Sequence, residues 1–408
     1  MNAQTRSHEV IVIGAGAAGC FGAIRAAEAG ARVTVLESGR MPLRKVKISG
    51  GGRCNVTHAC FDPAQLIQNY PRGNKELRGP FHHFQPRDTV AWFQERGVDI
   101  KTEADGRMFP VSNTSATIID CLLGEMNRLG VQVQYGVRLT DIRRTSDGQL
   151  ELELADGNRM LTKACLLATG SLVQSSLPDT LQALGHRMVA PVPSLFSFKI
   201  PGPELKDLAG VSVPEATVRL PGSKMQQSGP MLITHTGLSG PAILKLSAWA
   251  ARRLHESNYH FPVHIQWVPG SFDEIRQSFE TMRREHPKKR VDNLGPLSVP
   301  KRLWQRFVDM AGAGSYIWSQ LPAHCRDRLI ELMYRQELQV QGKSTHKEEF
   351  VTCGGVSLKD VNFRTMESRR CPGLYFAGET LDLDGVTGGF NFQAAWTTGY
   401  LAGSAMAQ

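Results

Sequence analysis

The chain has 408 residues, of which 41% are hydrophobic and 21% charged, and its formal net charge is +9. This length predicts two or three domains with sizeable cores, as in a soluble enzyme. No run of 18 or more apolar residues and no signal-peptide cleavage pattern is present, so we expect neither a membrane span nor secretion. The eight cysteines form no CxxC pair. We therefore expect a cytoplasmic protein with no redox dithiol and no metal site.

The basic charge raises the question of a nucleic-acid partner. In the densest basic run, residues 283–290, no aromatic residues are interleaved with the lysines and arginines. This pattern is typical of a solvated loop, so we expect a small-molecule substrate rather than a nucleic acid. The excess of positive charge would favour an anionic substrate. The sequence does not indicate the oligomeric state.

The opening of the chain predicts a dinucleotide site. A short apolar run suited to a buried parallel strand leads into Gly14, Gly16 and Gly19, which fit the spacing GxGxxG before an alanine-rich helical stretch. Gly14 would make the tight turn, Gly16 would let a pyrophosphate approach the backbone, and Gly19 would let the helix pack on the strand. A second predicted strand ends at Glu37, where such folds place an acid for the ribose.

The rest of the first half is predicted to be α/β. Residues 45–55 are too rich in glycine for a helix and are interpreted as a loop that lays its backbone against a ligand. Further on, the pattern predicts helices at 88–96 and 116–129, strands at 98–102 and 131–135, and a hairpin of 150–154 and 164–170 turning at Asp156-Gly157.

The middle of the chain has a different secondary-structure pattern. Short strands separated by Gly/Pro turns are predicted at 195–200, 215–220, 231–234 and 261–268, and helical periodicity from Ser271 to about Val340. Strand-like passages at 349–353 and 374–378 would return the chain to the first domain. The predicted domains are 1–190 (first part of a dinucleotide-binding domain), 191–270 (β-rich), 271–345 (helical) and 346–408 (return to the first domain).

Four passages together resemble a known family. They are Val12–Gly19, Ser49–Asn55, Thr234–Pro241 and Thr365–Gln393, and with them the chain resembles, over nearly its whole length, the BaiN-like, aminoacetone-oxidase-like FAD-dependent oxidoreductases. The resemblance implies an α/β fold: a Rossmann-like FAD-binding domain of the two-dinucleotide-binding, glutathione-reductase-like type, interrupted by a β-barrel-like domain and a small helical domain.

The resemblance also implies which residues contact FAD. It implies that the GxGxxG turn binds the pyrophosphate, that Glu37 binds the adenosine ribose, and that the backbone of Val137 contacts the adenine. The implied contacts are Gly14, Gly16, Ala17, Ala18, Gly19, Glu37, Ser38, Lys47, Ser49, Gly51, Gly52, Arg53, Cys54, Asn55, Val137, Thr169, Gly170, Gly378, Glu379, Asp384, Gly388, Gly389, Phe390, Asn391 and Gln393.

The C-terminal part of this set also makes physical sense. Glu379 follows a predicted strand, where an acid can hold a ribityl hydroxyl, and residues 388–391 open a final helix. The free N–H groups of that helix would stabilise negative charge on a reduced flavin. One departure from the family lies after Gly170, where residues 171–178 form a shortened loop. We expect this loop to affect substrate access or choice more than FAD binding.

Three residues are candidates for catalysis. His235 belongs to a residue type that exchanges protons near neutral pH, but it would equally well serve only to hold its turn. Cys54 beside Arg53 is a candidate nucleophile with a lowered pKa, although we favour a packing role. Arg53 is predicted either to anchor a substrate carboxylate or the flavin, or to form a structural salt bridge.

The motifs limit how an electron donor could bind. The sequence has no second strand–GxGxxG–helix, so NAD(P)H, if used, would bind transiently and without a module of its own. Our first hypothesis is hydride exchange between flavin N5 and a small organic substrate. Two directions remain open: reduction of an activated C=C or C=O bond with NAD(P)H, and oxidation of an amine or saturated substrate with oxygen or a quinone.

Two hypotheses from other classes are disfavoured. An FAD-containing RNA-modifying or RNA-binding protein would fit the basic charge, but the chain lacks a stripe of basic and aromatic residues. A plain NAD-dependent dehydrogenase would leave residues 378–393 without a purpose.

Overall fold

The computed structural model describes residues 6–173, 175–344 and 351–408. The contacts divide the chain into two compact units, whose bounds are Met1–Pro193 with Lys347–Gln408, and Ser194–His346. We call the first the split unit and the second the inserted unit. Among the described residues, no helix combines the length and the apolar character needed to cross a membrane.

The secondary structure comprises 21 strands and 13 α-helices within the described ranges. The strands are β1 (Arg6–Ile13), β2 (Val33–Glu37), β3 (Thr57–His58), β4 (Ile100–Thr102), β5 (Arg107–Pro110), β6 (Gln132–Tyr135), β7 (Leu139–Arg144), β8 (Leu150–Leu154), β9 (Arg159–Leu167), β10 (Met188–Ser194), β11 (Ser197–Lys199), β12 (Ser212–Arg219), β13 (Gln226–Ile233), β14 (Gly237–Ser239), β15 (His260–Gln266), β16 (Gln336–Gln341), β17 (Lys343–Ser344), β18 (Val351–Val356), β19 (Val361–Asn362), β20 (Glu367–Ser368) and β21 (Leu374–Phe376). The helices are α1 (Ala17–Glu28), α2 (Arg44–Gly52), α3 (Pro63–Leu66), α4 (Pro80–His83), α5 (Pro86–Gln94), α6 (Ser115–Arg128), α7 (Leu177–Ala183), α8 (Pro241–Trp249), α9 (Ala251–Glu256), α10 (Phe272–Glu285), α11 (Lys301–Met310), α12 (Ala323–Arg335) and α13 (Phe390–Met406).

A nine-stranded sheet forms the centre of the split unit. Its main path is β19-β20-β21-β9-β1-β2-β6, and β8 and β7 extend it from β9. Strand β1 runs parallel to both β2 and β9, and β21 runs parallel to β9. Val10 to Ile13 are buried, as expected for a parallel strand covered on both faces. The predicted α/β fold is confirmed, and a hairpin is present because β8 and β9 pair antiparallel. Its second strand was misplaced: residues 159–162 pair with β8, whereas 164–167 pair parallel with β1.

Helices α1 and α13 pack against each other with their backbones in close contact. A Cβ atom added to Gly399 would lie 2.5 Å from the Ala18 carbonyl oxygen, and one added to Gly403 would lie 2.3 Å from that of Gly22. Gly22 itself faces Leu166 of β9, whose Cδ2 would be 2.6 Å from an added Cβ. Backbone contacts therefore require glycine at 399 and 403, whereas a side chain at Gly22 would have to displace Leu166 and crowd the Gly399 carbonyl oxygen, 3.2 Å away.

The inserted unit is built on a seven-stranded antiparallel sheet with the order β16-β15-β12-β13-β14-β11-β17. It contains both the predicted β-rich segment and the predicted helical segment. Trp267, which follows β15, donates its indole N–H to the Gln336 side-chain oxygen at the start of β16 over 2.7 Å. The sheet thus takes strands from both sides of helices α10, α11 and α12.

Three secondary-structure predictions for particular segments were wrong. Residues 336–340 form strand β16 and not helix, and the burial along β16 alternates strictly between buried and exposed, which is the period of a strand. Residues 44–48 are helical, because the glycines at which the helix breaks lie only at its end. Helices α8 and α9 were not predicted in the β-rich segment, although Pro241 after Gly240 is a helix-start signal. Gln174 of the shortened loop and residues 349–350 of a predicted strand lie outside the described ranges.

Replacing Gly399 with alanine is expected to destabilise the fold by about 1–3 kcal/mol, because the new methyl group forces α1 and α13 apart. Chemical denaturation of the variant measures this change. Gly124→Ala is the matched control: Gly124 is exposed in α6 with no atom within 4 Å of an added Cβ. That change is expected to stabilise the protein by about 0.5–1 kcal/mol. Equal effects of the two substitutions would contradict this account of the interface.

Candidate functional site

The three glycines of the GxGxxG turn differ in what surrounds them. A Cβ on Gly14 would lie 2.5 Å from the Ala168 carbonyl oxygen, and one on Gly19 would lie 1.9 Å from that of Gly14. The fold itself therefore requires these two glycines. Gly16, by contrast, has φ −87° and no atom within 4 Å of an added Cβ. The backbone at Gly16 is thus open to a ligand.

The N-terminus of α1 adjoins this open backbone. Gly16 is its N-cap residue, and among the described residues no side chain caps the helix and no acid lies in its first turn. The N–H groups of the first turn, which begins with Ala17 and Ala18, are therefore not satisfied by a capping side chain. Such a terminus is suited to a pyrophosphate.

Glu37 lies at the end of β2, next to the same turn. Its carboxylate accepts hydrogen bonds from the N–H groups of Ala15, over 2.8 Å, and Gly39, over 2.6 Å. The N–H of Val137 donates to the Glu37 carbonyl over 3.0 Å, and Ser38 is exposed beside it. The structure therefore groups the predicted ribose and adenine contacts. An ionised carboxylate has about four acceptor positions, so Glu37 retains capacity for a ribose hydroxyl.

The segment after α2 is a run of unusual backbone conformations. Ser49 leaves the helical region with ψ 149°, and Gly50, Gly51 and Gly52 have φ values of +58°, +68° and +82°. Added Cβ atoms on Gly51 and Gly52 would meet no atom within 4 Å. This segment thus presents a second open stretch of backbone. Lys47, one helical turn earlier, is exposed.

Arg53 and Asn55 connect this segment to its neighbours. Arg53 Nη1 lies 2.6 Å from Glu103 Oε1, and the guanidinium lies 4.0 Å from the centre of the Phe109 ring. In the amide orientation that satisfies its surroundings, Asn55 donates to the carbonyl oxygens of Thr57 and Met108 and accepts from the Gly389 N–H. The Arg53 side chain remains one-third exposed. It forms the salt bridge predicted as one alternative while keeping a surface for a ligand.

Cys54 does not have the properties of a nucleophile. Its side chain is fully buried, and burial raises the pKa of the thiol to about 12. Thiolate is the reactive form, so the alternative of a lowered pKa is wrong. The cause is burial, which disfavours the charged thiolate and outweighs the hydrogen bond to Ser49 that lowers the pKa.

The C-terminal ends of β9 and β21 are tied together. The hydroxyl of Thr380 lies 3.4 Å from both the Gly170 carbonyl oxygen and the Thr169 hydroxyl. Glu379, next to Gly378 in the same short turn, forms an ion pair with Lys45 and accepts from the Thr352 N–H over 2.9 Å. The carboxylate predicted to hold the ribityl chain is therefore already held in place by α2 and β18.

The side chains between Asp384 and Gln393 stabilise the protein itself. The buried Asp384 carboxylate pairs with Arg72. The Asn391 side chain exchanges two hydrogen bonds with the backbone of Gly385, of 2.8 and 2.9 Å. Gln393 accepts from the hydroxyls of Thr57 and Thr89 and donates to that of Thr397. These side chains fix the shape of the segment and leave its backbone to meet a ligand.

Helix α13 begins at Phe390, within this segment. Gly388 and Gly389 have φ values of +126° and +93°, and a Cβ on Gly389 would lie 2.5 Å from the Thr57 carbonyl oxygen. Within the described chain, no side chain caps the first turn. Phe390 stacks on the imidazole of His58, with ring centres 4.7 Å apart. The start of α13 therefore forms a second uncapped helix N-terminus in the split unit.

The residues present fit a flavin dinucleotide. Gly16, Gly51 and Gly52 offer backbone that no side chain covers, and α1 and α13 offer two positive helix ends for the negative charges of the pyrophosphate and the flavin. Lys45, Arg72 and Thr352, which fix this site, were not predicted. Lys45 belongs to the predicted ligand loop, residues 45–55, and could have been found there. Nothing in the sequence connects Arg72 or Thr352 to the segments that they contact.

His235 lies in the inserted unit, at the tip of the turn between β13 and β14. The turn is closed by Thr234, whose hydroxyl accepts from the Gly237 N–H over 3.1 Å. The His235 side chain is exposed, and no hydrogen bond to it is present among the described residues. The alternative that its imidazole holds the turn is therefore not supported, because Thr234 does so.

Fold and site together define a Rossmann-type flavoprotein oxidoreductase. The chain belongs to the family of the HI0933-like protein Rossmann domain, whose family model matches residues 8–405. This family is the BaiN-like, aminoacetone-oxidase-like group of FAD-dependent oxidoreductases, so the resemblance found in the sequence is confirmed.

Two full-length relatives illustrate the family. The chain is 30% identical over 409 residues to a ribosomal RNA dihydrouridine synthase of Escherichia coli (strain K12), with 96% of each chain covered. It is 29% identical over 410 residues to a 3-dehydro-bile acid delta(4,6)-reductase of Clostridium scindens, with 97% of this chain and 98% of the relative covered.

Among solved structures, the fold is similar to 3-ketosteroid-delta4-(5alpha)-dehydrogenase of Rhodococcus jostii RHA1. The TM-score is 0.51 at 14% identity, with 100% of this chain and 98% of the other covered. A 3-ketosteroid delta1-dehydrogenase of Sterolibacterium denitrificans gives a TM-score of 0.52 at 12% identity, with 99% of this chain and 100% of the other covered. At these identities the likeness concerns the fold alone.

Gly16→Ser is expected to weaken FAD binding by about tenfold or more while leaving the apoprotein at least as stable. The hydroxymethyl group would occupy the open space at Gly16 and cap the N–H groups that we assign to the pyrophosphate. FAD titration and thermal unfolding of the apoprotein measure the two effects. Gly19→Ala, in the same turn, is the contrasting variant, because its methyl group would clash within the fold and destabilise the apoprotein. Unchanged FAD affinity in Gly16→Ser would contradict the assignment.

Proposed function

We propose that the protein reduces a carbon–carbon double bond of its substrate at FAD. The support for this proposal is that the two full-length relatives are both named for reactions that saturate a ring C=C bond. Dihydrouridine is uridine with its ring C=C bond saturated, and a delta(4,6)-reductase removes ring C=C bonds. The relatives differ in the size and class of their substrates, so the shared reaction is the feature most readily carried over to this chain.

The chain's own residues would serve this reaction in three ways. When bound, FAD would supply hydride transfer at its N5 atom. The uncapped start of α13 would stabilise negative charge placed beside it. Arg53, fixed by Glu103 and still one-third exposed, would orient an electron-rich oxygen of the substrate and so polarise the C=C bond conjugated to it.

Saturation of a C=C bond needs a proton as well as a hydride. Among the three predicted catalytic residues, His235 suits proton donation best, because its imidazole is exposed and has no partner within the described residues. The Cys54 thiol is buried with a raised pKa, and Arg53 does not release its proton in proteins. We therefore assign proton transfer to His235.

The electron donor in this proposal is NADH or NADPH, bound transiently because the sequence has a single GxGxxG module. The alternative remains a flavin-dependent amine or small-molecule oxidase that uses oxygen. A second candidate substrate class is RNA, favoured by 30% identity over 96% of both chains to the Escherichia coli ribosomal RNA dihydrouridine synthase. In that case the reduced bond would belong to a uracil base.

Anaerobic mixing with NADH and NADPH separates these proposals. A reductase is expected to lose its oxidised flavin absorbance with one nucleotide, and to regain it on addition of a substrate with a conjugated C=C bond or of a uridine-containing RNA. Saturated product, detected by mass spectrometry, identifies the substrate class. A flavin that stays oxidised with both nucleotides but is reduced by an amine would contradict the proposed direction.

His235→Asn is expected to slow substrate reduction by the prereduced enzyme about 100-fold. The reason is that asparagine forms hydrogen bonds but does not transfer a proton near neutral pH. Stopped-flow absorbance measures this step and, separately, reduction of the flavin by NAD(P)H, which is expected to stay unchanged. Unchanged substrate reduction, with the flavin still reduced normally, would remove His235 from the mechanism.

A further inference from the structure

The positive charge of the protein is concentrated in the inserted unit. Residues 194–346 contain 20 of the 47 lysines and arginines but only 13 of the 38 acidic residues, and so carry seven of the nine net positive charges. The proposed FAD contacts all lie in the split unit, which is nearly neutral. The excess charge therefore needs an explanation other than the flavin.

A cavity of about 460 Å³ lies entirely within the inserted unit. It is formed by the end of β11, the loop that follows it and the turn between β13 and β14. Lys199 and Lys206 line it together with His235 and Thr236. Its volume is in the range of small-molecule sites, and the two lysines are the groups in its lining that are always charged near neutral pH.

Neither lysine has an ion-pair partner within the described residues. Among the residues that the structure describes, no hydrogen bond or ion pair involves the Nζ atom of Lys199 or Lys206. The nearby loop contains two acids, Glu204 and Asp207. The Glu204 carboxylate lies against Gly202, which lines the cavity, but within the described residues it forms no ion pair with either lysine. Because both lysine side chains are exposed, their ammonium groups are accessible to an anion bound in the cavity.

The wall that carries Lys206 is held by further positive charge. Arg306 of α11 donates to the carbonyl oxygens of Pro203 and Lys206, the latter over 2.8 Å. Arg302 donates in the same way to Asp207 and to Ala209. Because these arginines bond neutral carbonyls and not carboxylates, their charges add to the positive potential of the loop while fixing its shape.

We propose that this cavity binds a phosphate group of a ligand, held by Lys199 and Lys206. A phosphate offers several acceptor oxygens and negative charge to two separate ammonium groups, and lysine is a common phosphate ligand. Two sources supply this chemistry: the backbone of an RNA and the phosphates of a nicotinamide nucleotide. Phosphate binding in this cavity does not depend on the direction of the proposed reaction.

The test compares two double variants of the FAD-loaded protein. Lys199→Ala/Lys206→Ala removes the proposed contacts, and Lys288→Ala/Lys289→Ala removes the same charge from an exposed loop of the same unit that does not line the cavity. Fluorescence anisotropy with a labelled oligouridylate gives the RNA arm, measured over a series of salt concentrations. Quenching of protein fluorescence by NADPH and NADH gives the nucleotide arm.

The cavity variant is expected to bind one of these ligands about tenfold more weakly, while the control variant binds as the parent does. If the ligand is RNA, the slope of log affinity against log salt also falls by about 0.7 for each lost phosphate contact, which a merely structural change would not produce. Weakened binding of NADPH alone identifies the nucleotide.

Equal affinities of the cavity and control variants in both arms would overturn the proposal. Lys199→Gln/Lys206→Gln repeats the measurement with side chains of greater length, and near-parental thermal unfolding shows that either variant is folded. Binding is measured without turnover, so a failure here is distinguishable from a failure of the proposed reduction. Loss of C=C reduction with intact phosphate binding would contradict the proposed reduction and leave the phosphate site standing.

Discussion

The contact between α1 and α13 is the constraint on which the candidate site depends. These helices come from opposite ends of the chain, and they approach closely only because Gly22, Gly399 and Gly403 have no side chains. The contact positions the GxGxxG turn at one end of α1 and the segment before α13 in one compact unit. A large unit can be inserted between the two halves because this packing, and not chain continuity, holds them together.

Within the split unit, side chains and backbone have separate tasks. Asp384, Asn391 and Gln393 form hydrogen bonds or ion pairs inside the protein, and Glu379 is fixed by Lys45 and Thr352. Open glycine backbone and two uncapped helix ends remain for the cofactor. Such preorganised dipoles need no rearrangement when charge develops on a bound flavin, which suits a site that alternates between two redox states.

Local patterns explain which parts could be predicted from the sequence. The opening strand, the GxGxxG turn and the hairpin turn at Asp156-Gly157 are encoded within a few residues, and these three predictions were correct, although the second strand of the hairpin begins earlier than predicted. The sequence pattern wrongly predicts helix for β16 because this strand directly follows long helices, although its burial alternates as in a strand. The raised pKa of Cys54 and the pairing of Arg72 with Asp384 depend on contacts distant in sequence, which no local pattern reveals. For the same reason, the two unpaired lysines on one cavity emerged only from the structure.

The central claim is that both ends of the chain form one FAD site in the split unit. Titration of the apoprotein with FAD, followed by flavin fluorescence and by the visible spectrum, tests it most directly. The account predicts saturation at one FAD per chain, with a perturbed flavin spectrum. A protein that purifies without flavin and shows no saturable FAD binding would contradict it, even if it bound nicotinamide nucleotides.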